Sequence, residues 1–170
     1  MNEVSAAPNG RNSSLVLLVA SALTISAVPA PGISAPRNTH LATTYTVQNC
    51  NGSGAGSLRE DAGLAVSGDT IDLSHLTCET IPTRSSDGGQ IVLKDVSIQG
   101  PGRDALTING SSGTRIFFHN GTGTLTIDGV TLSGGSKMGA DGDSDTGGGC
   151  LYSLGNVSFL HSTVRDCEYT

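Results

Sequence analysis

Gly123-Thr-Leu-Thr-Ile127 returns as Gly155-Asn-Val-Ser-Phe159, 32 residues further on, and Thr131-Leu132 falls on Thr163-Val164 at the same offset. Each copy alternates polar and apolar side chains, as a strand with one buried face does. Self-similarity at a fixed offset is the signature of stacked repeats, in which no single coil can bury its own core. A coil of roughly 20 residues, a common short-repeat length, plus a loop inserted from Gly134 to Gly148 accounts for the offset.

The same alternation recurs upstream. Ile71 with Leu73, Ile91 with Leu93, Val96 with Ile98, Leu106 with Ile108, Ile116 with Phe118 and Leu125 with Ile127 each read as a brief strand with two inward side chains. Gly, Asn, Asp and Ser fill the gaps, as in Gln99 to Gly102, Asn109 to Gly113 and Asn120 to Gly123, so the chain turns often. The fold expected is all-β: a right-handed parallel β-helix whose ladder residues Val96, Ile98, Leu125, Ile127, Val157 and Phe159 are core.

Thr44 to Val47 reads as the first strand. Ser57-Leu-Arg-Glu60 is a capping box, in which the serine accepts the N3 amide while the glutamate reaches back to the cap amide. Leu58, Ala62 and Ala65 follow on one face, so a short capping helix, weakened by Gly63, is expected to cover an edge. Ahead of it, Arg11, an apolar run from Leu15 to Val28 and then small residues have the order of a secretory signal. The run is shorter than the ~20 apolar residues a spanning helix needs. Residues 1–30 are therefore assigned to a signal peptide, 31–42 to a linker and 43–170 to the β-helix. Cleavage after Ala30 or after Ala27 satisfies the small-residue rule.

Cys50, Cys78, Cys150 and Cys167 all lie beyond the signal, and an even count in an oxidising compartment favours disulfides. Of the three possible pairings, Cys50 with Cys78 and Cys150 with Cys167 is preferred, since each would staple neighbouring segments. Zinc is disfavoured, because no CxxC occurs and the histidines at 40, 75, 119 and 161 are dispersed. A net charge of -6 with scattered Lys and Arg offers no basic stripe for nucleic acid.

Chemistry-bearing candidates are few. Asp141, Asp143 and Asp145 alternate in a glycine-rich loop, the spacing with which carboxylates collect around calcium. The position where an EF-hand needs its bidentate glutamate is Tyr152, so the loop is not of that type, and a solvated acidic loop is the plainer reading. Asp69, Asp72, Asp87, Asp95, Asp104 and Asp128 show no spacing that would group them, nor do Arg103, Arg115 and Arg165; surface or turn roles are expected for each. His119 and His161 read as solvent-facing strand residues rather than general bases. The Asn-X-Ser/Thr triplets at Asn51, Asn109, Asn120 and Asn156 read as turn chemistry.

Val47-Gln-Asn-Cys50, Gly54-Ala-Gly-Ser-Leu-Arg-Glu60, Gly68-Asp-Thr-Ile-Asp-Leu73 and Leu76-Thr-Cys78 resemble the N-terminal region of bacterial β-helix surface proteins of the CSLREA or choice-of-anchor Q type. Gly121-Thr-Gly-Thr-Leu-Thr-Ile127 and Gly147-Gly-Gly-Cys-Leu151 continue the likeness, and the Gly-Gly-small-apolar step is similar to the repeats of polymorphic outer membrane proteins. The family implies a right-handed parallel β-helix displayed outside the cell, usually with further coils and a C-terminal anchor. Glu60-Asp-Ala-Gly63 departs from the family's usual run into a helix, and the stop at Thr170 reads as a truncated C-terminus. The function expected is an exported structural or adhesive module, without a catalytic site, that meets glycans or a host or neighbour cell surface. The runner-up is a polysaccharide lyase or hydrolase on the same scaffold, which would need acids and bases grouped on one face.

Overall fold

The structure is a computed structural model and describes residues 40–111, 113–138 and 147–170, all within one compact unit, Asn38–Thr170. Residues 1–39, which take in the stretch read as a signal peptide and most of the expected linker, lie outside the described residues. The first turn holds β1 (Thr44–Thr46) and α1 (Leu58–Leu64), and the second β2 (Thr70–Asp72), β3 (Thr80–Pro82) and β4 (Ile91–Leu93). The third holds β5 (Ser97–Gln99), β6 (Thr107–Asn109) and β7 (Phe117–His119). The fourth holds β8 (Thr124–Asp128), β9 (Thr131–Ser133), β10 (Ser136–Lys137) and β11 (Leu151–Ser153), and the last β12 (Asn156–Leu160), β13 (Thr163–Arg165) and β14 (Glu168–Tyr169).

Every pairing between these strands is parallel. A first sheet runs β1-β2-β5-β8-β12, a second β3-β6-β9-β13, a third β4-β7-β11, and β10 pairs with β14. The fold is thus the all-β parallel β-helix expected, with one short helix. Its core is a set of columns in which each inward side chain stands on its counterpart one turn away. Ile71, Ile98, Ile127 and Phe159 form one, and Ile81, Ile108, Leu132 and Val164 another. Ile71, Ile98, Ile127, Ile108 and Leu132 are completely buried. Phe159 and Val164, with a neighbour on one side only, are 42% and 46% exposed, so Phe159 is less of a core residue than its alternation suggests.

The coil length differs from the sequence reading. Thr44, Thr70, Ser97, Thr126 and Ser158 occupy the same position on successive rungs, so on this sheet a turn takes 26 to 32 residues, not about 20 plus one loop; on the other sheets it ranges from 24, between Thr107 and Thr131, to 34, between Phe117 and Leu151. Three strands and their corners need that length. The repeated glycine belongs to this stacking: a Cβ on Gly155 would lie 2.5 Å from the carbonyl oxygen of Gly123 and 2.8 Å from that of Gly121. The strand read as Ile116 with Phe118 is shifted by one. Ile116 and Phe117 are both buried at a corner, after which Phe118 points out and His119 in. The corner itself consumes one residue of the alternation.

The helix forms as its capping box dictates. Ser57 is extended and its hydroxyl accepts the Glu60 amide at 3.3 Å, while Leu58 and Ala62 face the core. Glu60 reaches back to the amide of Gly56 at 2.5 Å, one residue before the cap amide expected. Arg59 fastens the helix to the corner before β4 by donating to the carbonyls of Gly52, Gly89 and Gln90. Two disulfides close the ends: Cys50–Cys78 joins the first turn to the second, and Cys150–Cys167 the fourth to the last.

Truncating the middle of a column leaves a cavity between two fixed rungs. Ile98→Ala should therefore destabilise by about 2–5 kcal/mol, whereas Val164→Ala at the outer end should cost within about 0.5 kcal/mol. Chemical denaturation of the oxidised protein, with m-values compared, measures both.

Candidate functional site

The alternation that turns Phe118 outward sends His119 into the core, in the column Leu93, His119, Ser153. An imidazole in an apolar column must find partners or cost the stability of the stack. His119 is wholly buried, with Nε2 2.8 Å from an Asp95 carboxylate oxygen and Nδ1 2.6 Å from the Ser153 hydroxyl. Asp95 also accepts from the Ser67 hydroxyl at 3.0 Å and from the Gly123 amide at 2.9 Å. The hydrogen bond from His119 is the main reason its carboxyl is held below the ordinary carboxylate range; burial opposes this, and Ser67 and Gly123 reinforce it.

Asp, His and Ser in contact have the connectivity of a nucleophilic triad. The Ser153 hydroxyl, however, donates to the carbonyl of Gly155 at 3.0 Å and accepts from the Gly155 amide at 3.2 Å. It is engaged on both sides by the turn it closes, and its base is sealed in the core. The arrangement ties three turns together rather than presenting a nucleophile.

Asp69 plays a similar part between α1 and β2. Burial pushes its carboxyl up, but the amides of Val66 and Thr43 and the His40 ring outweigh burial and leave it below its usual value. His40, assigned to the linker, is thereby anchored to the fold. A third buried polar group is Arg115, which donates to the carbonyls of Gly147 at 2.6 Å and Gly148 at 2.9 Å and to the Gln90 side chain at 3.0 Å. Its guanidinium lies 5.0 Å from the centre of the Tyr152 ring, which stacks on Phe118 at 5.8 Å. A cleft of about 270 Å³, lined in part by Ser85, Thr114 and Arg115, opens beside it.

The surface or turn roles expected for Asp69, Arg115 and His119 are thus corrected: all three are buried scaffold residues. His161 is exposed as expected, 2.9 Å from Asp128. Asn109 does serve a turn, its side-chain oxygen accepting the Ser111 amide at 2.7 Å. Asp141, Asp143 and Asp145 lie outside the described residues, among which no group of His, Cys, Asp or Glu could hold a metal ion.

On the outer face of the first sheet, Thr44, Thr70, Ser97, Thr126 and Ser158 form a straight column, one hydroxyl per rung. Among the described residues, none of these five hydroxyls is taken up by a hydrogen bond within the chain. The neighbouring outward column is Thr46, Asp72, Gln99, Asp128 and Leu160. The second sheet carries a rival column, Thr80, Thr107, Thr131 and Thr163, but Thr131 is 5% exposed and its hydroxyl donates to the Arg103 carbonyl at 2.8 Å. Among the described residues, only the first of these two rows keeps every hydroxyl clear of a hydrogen bond within the chain. Sequence reading missed it because a hydroxyl column becomes visible only when the turn length is known.

Comparison with known proteins gives no match: no family model, no curated protein and no solved structure aligns with the chain.

The pH dependence follows from Asp95 and Asp69. Both carboxyls are held below the unfolded value of about 3.9, so the unfolded chain binds more protons in acid. Their contribution is complete above that value and is lost as pH falls through the lower folded values. Melting temperature should be level near neutral pH and drop below about pH 4. Asp95→Ala should make that drop shallower and, by leaving buried His119 without its acceptor, cost about 1–3 kcal/mol at pH 7. Thermal melts from pH 2 to 7 on both proteins give the comparison.

Proposed function

We propose that this chain is an exported structural and adhesive module, secreted or displayed at a cell surface, which holds a flat polar face against glycans or another cell without processing them. The observation that carries this reading is the row of five hydroxyls, none of them hydrogen-bonded within the described residues, whose three middle rungs carry the fully buried Ile71, Ile98 and Ile127 on the inner side. A rigid face with unused hydrogen-bonding groups loses little conformational entropy when it binds.

Export is supported by two disulfides, which persist in oxidising compartments, and by the signal-like order of residues 1–30. No helix among the described residues is long and apolar enough to cross a membrane. The likeness of Gly54 to Glu60 and of the glycine-rich steps to CSLREA-type and choice-of-anchor Q proteins points the same way. Against polysaccharide cleavage stands the fate of the interior acids and bases: the buried Asp69, Arg115 and His119 and the partly buried Asp95 are each committed to several contacts within the scaffold.

The oxidised protein is expected to be retained by polysaccharides or by fixed cells, with no soluble sugar products over hours of incubation. Co-sedimentation measures retention, and assays for reducing ends and unsaturated uronates measure cleavage. Products that appear with wild type and vanish with Asp95→Ala would replace adhesion by catalysis.

A further inference from the structure

Resting on that adhesive reading, we propose that the outer face of the β1-β2-β5-β8-β12 sheet binds a neutral, linear, hydroxyl-rich polysaccharide laid along the row Thr44, Thr70, Ser97, Thr126 and Ser158. Neighbouring strands stand about 4.7–4.9 Å apart, so the row presents five hydroxyls separated by four equal steps and spans roughly 20 Å. A polymer of sugar rings repeats its own hydroxyls at short regular steps along one axis, and a regular row engages several of them at once. Each Ser or Thr hydroxyl both donates and accepts, as each sugar hydroxyl does, so a pair can form with either in either role.

Charge selects the class of polymer. The two outward columns hold Asp72 and Asp128 and neither Lys nor Arg, while the whole chain carries a net charge of -6. A uronate or sulfated polymer would be repelled here. Asp72, held below the usual carboxylate range by the hydroxyl and amide of Ser74, is a charged acceptor that suits the O–H groups of a neutral sugar, while Asp128, two rungs away, already lies 2.9 Å from His161. The same aspartates and Gln99 stand in the column next to the hydroxyls and break the flat, uncharged plane that an ice surface would require. The outer aromatics are a poorer sugar platform, because Phe118 and Tyr152 cover one another and Arg115 lies over Tyr152.

The test uses the full oxidised chain in co-sedimentation with cellulose and chitin, in affinity electrophoresis with soluble neutral β-glucan and with pectate, and in binding to fixed cells. Thr70→Val with Thr126→Val removes two hydroxyls while keeping a β-branched side chain suited to a strand, and Thr107→Val on the second sheet is the control. Circular dichroism establishes that each variant is folded. Ser97→Arg, which adds bulk and charge mid-row, is the second variant should the double one fail to fold.

Neutral polymer should bind wild type and the control alike, with roughly tenfold weaker binding by the double variant, the worth of two ordinary hydrogen bonds. Unchanged binding by the row variants, or equal loss in the control, overturns the surface and leaves adhesion standing. Preference for pectate overturns the class of polymer. Cell binding without polysaccharide binding overturns this proposal alone, and retention by neither overturns the adhesive reading with it. Inhibition of ice growth without glycan binding assigns the row to ice.

Discussion

The constraint on which this molecule depends is vertical register: each inward side chain must stand on the equivalent side chain one turn away. Parallel strands provide the register through their hydrogen bonds, and the columns through Ile71, Ile98 and Ile127 provide the apolar burial that makes it worth adopting. The corners must obey it too. Gly155 sits over Gly123 because two turns meet there with no room for a side chain. The two ends satisfy the constraint least well, since a terminal turn has one neighbour. Those are the turns that the disulfides fasten, Cys50 to Cys78 at one end and Cys150 to Cys167 at the other.

A polar residue that falls on an inward position inherits the same constraint with stricter terms. His119 occupies a place where Leu93 stands one turn earlier, and its two ring nitrogens must both be satisfied inside the stack. Asp95 and Ser153 come from different turns, so meeting His119's needs links three turns together. This is why a contact order resembling a catalytic triad ends in a structural role. Partners that complete one another's hydrogen bonding in the core have little left for a substrate.

How much of this was legible in the sequence follows from the same physics. The alternation of Leu125 with Ile127, the cap at Ser57 and the even set of cysteines are local signals, and they give the strand type, the helix and the fold class. Turn length is not local. Corners of unequal size spread it from 24 to 34 residues, so the period shows clearly only between Gly123 and Gly155. Two further errors descend from one residue. With Ile116 and Phe117 adjacent and both apolar, nothing local says which begins the strand, and the wrong choice turns Phe118 inward and His119 out. Burial of Asp69 and Arg115 was equally hidden, because their partners, His40 and Gly147 among them, are distant in sequence.

The division of labour between the two faces explains where function can reside in such a fold. Inward positions are fixed by stacking, and a change at one of them is felt by the rungs above and below. Outward positions are freed from folding, since the backbone ladders and the inner columns already hold each rung in place. A row of small hydroxylated residues persisting across five outward positions, while neighbouring positions vary between Thr, Asp, Gln and Leu, is therefore not demanded by the stack. Its regularity is inherited from the ladder, so whatever meets it best is itself regular along one axis.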